Sequence, residues 1–242
     1  MIITKEAFLA GQVILINKPL NWTSFQVVNK VRWLIRQKFN IKKIKVGHAG
    51  TLDPLATGLL IICSGKMTKE IDRFQGQEKE YSGRFLLGAT TPSFDLETEI
   101  NQEFPTSHIN EEMIESARKK FVGTIQQKPP VFSALKKEGK RLYAYAREGE
   151  AVDVPVREVS IASLRLDTSE FPSIQFVTSC SKGTYIRSLA NDFGETLESG
   201  AHLTNLCRER IGEFHLNEAI SIEEFEEQLN TAKEDISSKT DS

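Results

Sequence analysis

Three cysteines in 242 residues, with no CxxC pair, are too few and too scattered for a disulfide framework or a zinc ribbon. Cys63, Cys180 and Cys207 read as free thiols in a reducing compartment. His48, His108, His202 and His215 form no ligand cluster with them, so no metal centre is expected. No run of eighteen apolar residues occurs, which leaves no candidate for a membrane-spanning helix. The opening MIITKEAFLA lacks the basic-then-apolar order of a signal peptide, and a cytoplasmic protein is expected. Cofactor-binding glycine motifs are missing too. GxGxxG is absent, and the nearest approach to a phosphate loop, Gly58 to Gly65-Lys66, has six intervening residues where four are required. Met67 stands where a Ser or Thr would hold magnesium, and neither GxSxG nor HExxH is present. No cofactor is expected.

Net charge is also scarce, at −2, but it is unevenly spread. Residues 1–73 hold 12 Lys/Arg against 4 Asp/Glu, and seven of those bases fall between Lys30 and Lys45. Residues 217–242 reverse the balance, with 8 acids and 2 bases. A local basic surplus is enough for a polyanion partner, because phosphates are neutralised patch by patch; a solvated helix face is the plainer alternative.

The length suits one large domain or two small ones. QVILIN, residues 12–17, reads as a buried strand ended by Lys18-Pro19. Thr23 or Ser24 then caps a helix whose Val27, Val28, Val31, Leu34 and Ile35 recur at helical spacing, opposite Lys30, Arg32 and Arg36. Leu59–Cys63 is a second buried run, and Thr68 is read as capping a short helix through Phe74. Strands are expected over 81–87, 159–166 and 174–179, and a strand pair or bent strand over 203–214. Helices are expected over 110–121 and 186–198, the latter ending near Gly200, with a last one capped by the Ser221/Glu224 box. Residues 126–150, rich in proline, aromatics and bases, look like an exposed, partly helical excursion, and the final twelve residues like a disordered tail. Without a regular βαβ rhythm, the fold class is α+β with a mainly antiparallel central sheet flanked by helices and loops.

Two glycine-flanked stretches invite a site. GHAGTLDPLATGLLIICSG, residues 47–65, surrounds one carboxylate, Asp53, with small residues. An Asp-Pro turn is commonly structural, yet Gly47, Gly50 and Gly58 permit close backbone approach, His48 supplies a donor nearby, and the apolar run after it offers a rigid anchor. SKGTYIRSLANDFG, residues 181–194, places Tyr185 and Arg187 near a helix start: a packed aromatic with a surface ion pair, or a platform beside a cation that favours an ionised carboxylate. Tyr81, in KEYSG, is either core or a stacking surface. With Tyr143, Tyr145 and Tyr185 it is interleaved with bases, as in proteins that stack unpaired nucleobases.

Together with INKPLNWTS, QKPPVFSALKKEGKRLYAYAREGE and GAHLTNLCRERIG, these segments make the chain resemble the bacterial tRNA pseudouridine synthase B (TruB) family from about Val13 to about Phe214. The resemblance implies a pseudouridine synthase fold and isomerisation of uridine 55 in the T-arm loop of tRNA, without metal or cofactor. It implies Asp53 as the catalytic aspartate and His48 as a contact to the flipped-out nucleotide. Tyr81 would stack on the target base, Tyr185 and Leu206 would belong to the pocket, Arg187 would ion-pair with the catalytic Asp, and Lys18 would support the site. Residues 127–150 would be the RNA-gripping thumb, and Asp95 marks the TxSxD-type loop. The partner implied is the tRNA T-arm stem-loop, with no membrane and no obligatory protein partner, and a monomer is expected. Two departures stand out: Phe132 replaces an expected tyrosine, and the expected layout is a catalytic domain over 1–216 followed by a short acidic helix and tail over 217–242, with no RNA-binding PUA domain.

Overall fold

The computed structural model describes residues 1–133, 135–137, 139–148, 150, 152 and 154–232. In chain order the elements begin with α1 (Lys5–Ala10), β1 (Val13–Lys18), α2 (Ser24–Phe39), β2 (Val46–Ala49), β3 (Ala56–Ser64), a 3₁₀ helix (Gly65–Glu70) and α3 (Ile71–Gly76). Next come β4 (Lys79–Leu87), β5 (Ala89–Thr90), β6 (Gln102–Glu103), α4 (Glu111–Lys120), β7 (Gly123–Gln127), β8 (Lys136–Lys137), β9 (Lys140–Arg141) and α5 (Leu142–Glu148). The chain continues through β10 (Arg157–Asp167), β11 (Ser173–Cys180), α6 (Ile186–Thr196), β12 (Ala201–Ile211), β13 (Phe214–His215), a 3₁₀ turn (Leu216–Glu218) and α7 (Ile222–Thr231). Two compact units result: Met1–Gln77 with the chain from Arg208 onward, and Glu78–Cys207.

In the first unit β3 pairs antiparallel with β1, from Val13↔Cys63 to Lys18↔Gly58, and with β2, from Val46↔Ser64 to Ala49↔Ile61. Its run ATGLLIICS is buried almost without interruption because both faces are covered. On one face Leu60 and Ile62, with Ile14 and Ile16 of β1, meet Val27, Val28, Val31, Leu34 and Ile35 of α2 and Ile222, Phe225 and Leu229 of α7. On the other, Leu59, Ile61 and Cys63 meet Phe74 and Ile211. Thr23 starts α2 through a full capping box with Gln26, and Ser221 starts α7 through one with Glu224. Helix α7 is thus part of this core: truncating its fully buried ring, Phe225→Ala, would cost about 3–5 kcal/mol.

The second unit is a strongly alternating sheet. Strand β4 pairs antiparallel with β11 (Tyr81↔Thr178), β11 with β10, and β10 with β7 (Val159↔Ile125). Inward residues alternate along β11, as one covered face requires. That face holds a ring cluster in which Phe193 of α6 lies 5.2 Å from Phe85 and 5.7 Å from Phe121. The fold class is α+β with a mainly antiparallel sheet, as expected.

Local expectations differ in a few places. Thr68 caps nothing: it lies inside the 3₁₀ helix and its hydroxyl donates to the Gly65 carbonyl at 2.8 Å. Helix α6 ends at Thr196, because Glu198 turns left-handed at φ 54° before Gly200 is reached. Strand β12 turns at Gly212 (φ 55°) into β13, which resolves the 203–214 stretch as a strand pair. Of the excursion over 126–150, Gln127, Ser133 and Leu142 are buried, so that segment is anchored at several points rather than exposed throughout. Residues 233–242, most of the expected tail, and Ala134, Glu138 and Gly149 of the excursion lie outside the described residues.

Candidate active site

Asp53 sits in the turn that joins β2 to β3, and its carbonyl accepts the Ala56 amide at 3.1 Å. Two glycines shape the approach and exit: Gly50 at φ 92° and Gly58 at φ 103° occupy backbone conformations that side chains disfavour. Gly47 is different. A Cβ there would lie 2.7 Å from Ile71 Cδ1, so an added side chain would have to displace the tip of Ile71.

Three side chains from three elements hold the turn by its backbone. Lys18, at the end of β1, is fully buried, and its ammonium donates to the carbonyls of Pro19 (2.9 Å), Trp22 (2.6 Å) and Pro54 (3.3 Å). Ser24, in the first turn of α2, donates its hydroxyl to Leu52 O at 3.1 Å and accepts the Leu52 amide at 2.8 Å. Arg208, on β12, is 1% exposed; its guanidinium donates to Leu59 O (2.8 Å), Gly50 O (3.1 Å) and Thr51 O (3.4 Å). Among the described residues neither Lys18 nor Arg208 has a carboxylate within 4.0 Å.

Charge and burial set the protonation of this group. Burial pulls the Lys18 ammonium down from 10.5 to about 8; Asp53 opposes the shift and Arg208 adds to it. His48, on β2, is lowered by burial first and by Arg208 second, against a hydrogen bond with the Gly50 backbone, so its ring is neutral at pH 7. Its Nδ1 is buried without a hydrogen-bond partner among the described residues.

The remaining expected residues lie in the second unit. Tyr81 is buried on β4, and Leu206 is buried on β12. Tyr185 precedes α6, after the turn at Gly183 (φ 83°), and is fixed through its backbone by the fully buried Gln127, which accepts its amide (2.7 Å) and donates to its carbonyl (3.0 Å). The guanidinium of Arg157 stands 5.6 Å from the Tyr185 ring centroid. Arg187, in the first turn of α6, is buried; it donates to Ser93 O (3.1 Å) and Phe132 O (2.9 Å), and its Nε is 3.6 Å from Asp95 Oδ2. Since Phe132 contributes its carbonyl to this contact, the contact does not depend on a tyrosine hydroxyl at that position. Sequence reasoning missed Ser24, Gln127 and Arg208, whose partners are distant in the chain and leave no local signal.

Comparison with known proteins gives this geometry its context. A family profile described as TruB family pseudouridylate synthase (N terminal domain) matches residues 36–186, and one described as tRNA pseudouridylate synthase B C-terminal domain matches residues 187–241. A protein of Flavobacterium johnsoniae named tRNA pseudouridine synthase B is 57% identical over 227 residues, covering 93% of this chain and 99% of its own. The chain belongs to the TruB family. A second TruB relative, from Phocaeicola vulgatus and of the same name, is 54% identical over 223 residues, covering 92% of this chain and 95% of its own. Among solved structures, a chain of a Cbf5-Nop10-Gar1 complex is similar with a TM-score of 0.68 and 28% identity over 92% of this chain. This chain spans 55% of the length of that one. As a TruB family member the protein is a pseudouridine synthase, an isomerase. No helix among the described residues is long and apolar enough to cross a membrane.

Proposed function

We propose that the protein converts uridine 55 in the T-arm loop of tRNA to pseudouridine, with Asp53 as the catalytic carboxylate. The observation that carries this reading is the backbone-held turn that fixes Asp53 in a chain whose relatives are named tRNA pseudouridine synthase B. The reaction breaks the bond from ribose C1′ to N1 of uracil and forms one from C1′ to C5; N1 gains a proton and C5 loses one, so atoms and electrons balance without a co-reactant. A carboxylate serves as nucleophile or as base in such a step.

A stacked uridine cannot reach a recessed carboxylate, and flipping it out costs a few kcal/mol. Stacking on Tyr81 would return about 1–3 kcal/mol of that. His48 would contact the flipped nucleotide; Tyr185 and Leu206 would shape its surroundings, and Arg187 and Lys18 would support the site. Residues 127–150 would act as the thumb on the RNA. The outer face of α2 and the loop after it suit phosphates: among the described residues Arg32, Arg36, Lys42, Lys43 and Lys45 have no carboxylate within 4.0 Å.

The test is an unmodified T-arm hairpin incubated with the protein, with pseudouridine mapped by primer extension after carbodiimide treatment. Modification at uridine 55 by the wild type, its loss in Asp53→Asn, and unchanged hairpin binding by that variant are expected. Robust turnover by Asp53→Asn, or a silent hairpin with wild-type protein, would overturn the assignment.

A further inference from the structure

Every backbone carbonyl from Gly50 to Pro54, except that of Asp53 itself, is taken by a side chain from elsewhere in the first unit. Arg208 holds residues 50 and 51, Ser24 holds residue 52 at both its amide and its carbonyl, and Lys18 holds residue 54 together with the Asn21 amide. The Asp53 carbonyl closes the turn onto Ala56. These holders come from β12, α2 and β1, each tied into the unit's hydrophobic core by its neighbours: Ile211, Val27 and Val28, and Ile16.

Satisfying buried carbonyls alone does not account for this choice of donors. Neutral donors would serve that purpose, whereas a buried guanidinium with no carboxylate beside it carries a large desolvation cost. The chain nonetheless places two buried cations here, Lys18 and Arg208, on either side of the one acid in residues 47–65. Arginine offers what lysine lacks, a rigid planar fork, and this one reaches across three separate carbonyls, two in the turn and one in β3 beyond it. The fork therefore fixes the spacing between the turn and the strand that follows it.

We propose that Arg208 and Ser24 are positioning residues for Asp53: they set the turn so that the carboxylate meets the reacting nucleotide in productive geometry. The inference rests on the catalytic role of Asp53 proposed above. Neither residue touches RNA in this account; each acts through the backbone. A misplacement of about 1 Å can cost on the order of a hundredfold in rate.

The experiment measures single-turnover pseudouridine formation at saturating T-arm hairpin, alongside the hairpin Kd, for Arg208→Lys, Ser24→Ala and Asp53→Asn. Arg208→Lys keeps the charge and loses the fork; its rate is expected to fall about 100-fold with Kd changed less than about threefold. Ser24→Ala removes one hydroxyl, and about a tenfold fall in rate at unchanged Kd is expected. Ser24→Ala carries the test alone should Arg208→Lys not fold, as read by circular dichroism. Wild-type rates in the variants, or rate losses matched by equal losses of affinity, would overturn the inference. Asp53→Asn separates the two levels: if it is inactive while the others turn over normally, the positioning role alone fails; if it turns over, the catalytic assignment falls, and the positioning role with it.

Discussion

Within the first unit, positive charge is used in two opposite ways. In the interior, Lys18 and Arg208 are buried and direct their hydrogen bonds at backbone carbonyls. On the outer face of α2 and the loop after it, Arg36, Lys42, Lys43 and Lys45 are exposed. The interior pair spends its hydrogen-bonding capacity on shape. The exposed group keeps most of its capacity for a partner, although Arg36 still donates its Nε to Ile41 O at 3.2 Å. Composition cannot separate the two groups, since a buried base and an exposed one each count as a single positive charge. Burial does: an ion in the interior must be bonded on all sides, whereas an ion in water need not be.

The comparison can be broken by removing the charges one at a time. Lys18→Met should have the largest effect, a loss of about 3 kcal/mol of stability as the Pro19 and Trp22 carbonyls lose the ammonium and that of Pro54 keeps only the Asn21 amide, together with loss of turnover; urea unfolding and the hairpin assay measure both. A change of pH probes the same group without mutation. Between about 8 and 10.5 the unfolded chain holds a proton on Lys18 that the folded chain has released, so stability rises with pH across that window relative to Lys18→Met, while turnover falls as the ammonium that holds Pro54 is neutralised. Thermal unfolding and rate profiles of the two proteins from pH 7 to 10.5 check both signs.

On the surface the expected effects are smaller and of another kind. Arg36→Glu with Lys43→Glu should leave Tm within a few degrees but weaken hairpin binding about tenfold and flatten its salt dependence, by roughly 0.7–0.9 in log–log slope per lost phosphate contact. A drop in Tm with unchanged affinity would erase the distinction between the two groups. Lys30→Met should have the least effect: its ion pair with Glu226, at 2.9 Å, is half in water, and less than about 1 kcal/mol is expected by denaturant unfolding.

Much of this architecture was legible in the sequence where the signal is local. The Thr23 and Ser221 caps, the helical spacing of Val27 to Ile35 and the buried run of β3 all depend on residues within a turn or two of each other. Short elements were not legible: α1 has six residues and β2 has four, too few to show a period, and β7 reads as polar because it is mostly exposed. Among the candidate site residues, Asp53, Arg187 and Tyr185 stood out by their glycine-flanked settings, which left a purely structural reading of each open. The holders of the Asp53 turn did not, since Arg208 meets Gly50 across 158 positions and Ser24 meets Leu52 across 28. Gly47 is a more local case: a Cβ there would meet the tip of Ile71, a packing contact that the motif alone does not reveal.

The backbone-directed grip on residues 50–54 has a consequence for how this protein tolerates change. Because the holders recognise peptide carbonyls and an amide, they are indifferent to the side chain at an exposed turn position such as Thr51. A saturation library at Thr51 should therefore yield many active clones, whereas libraries at Ser24 or Arg208, far away in sequence, should yield few. Ranked by mutational freedom, the positions nearest Asp53 along the chain would not all be the most constrained ones.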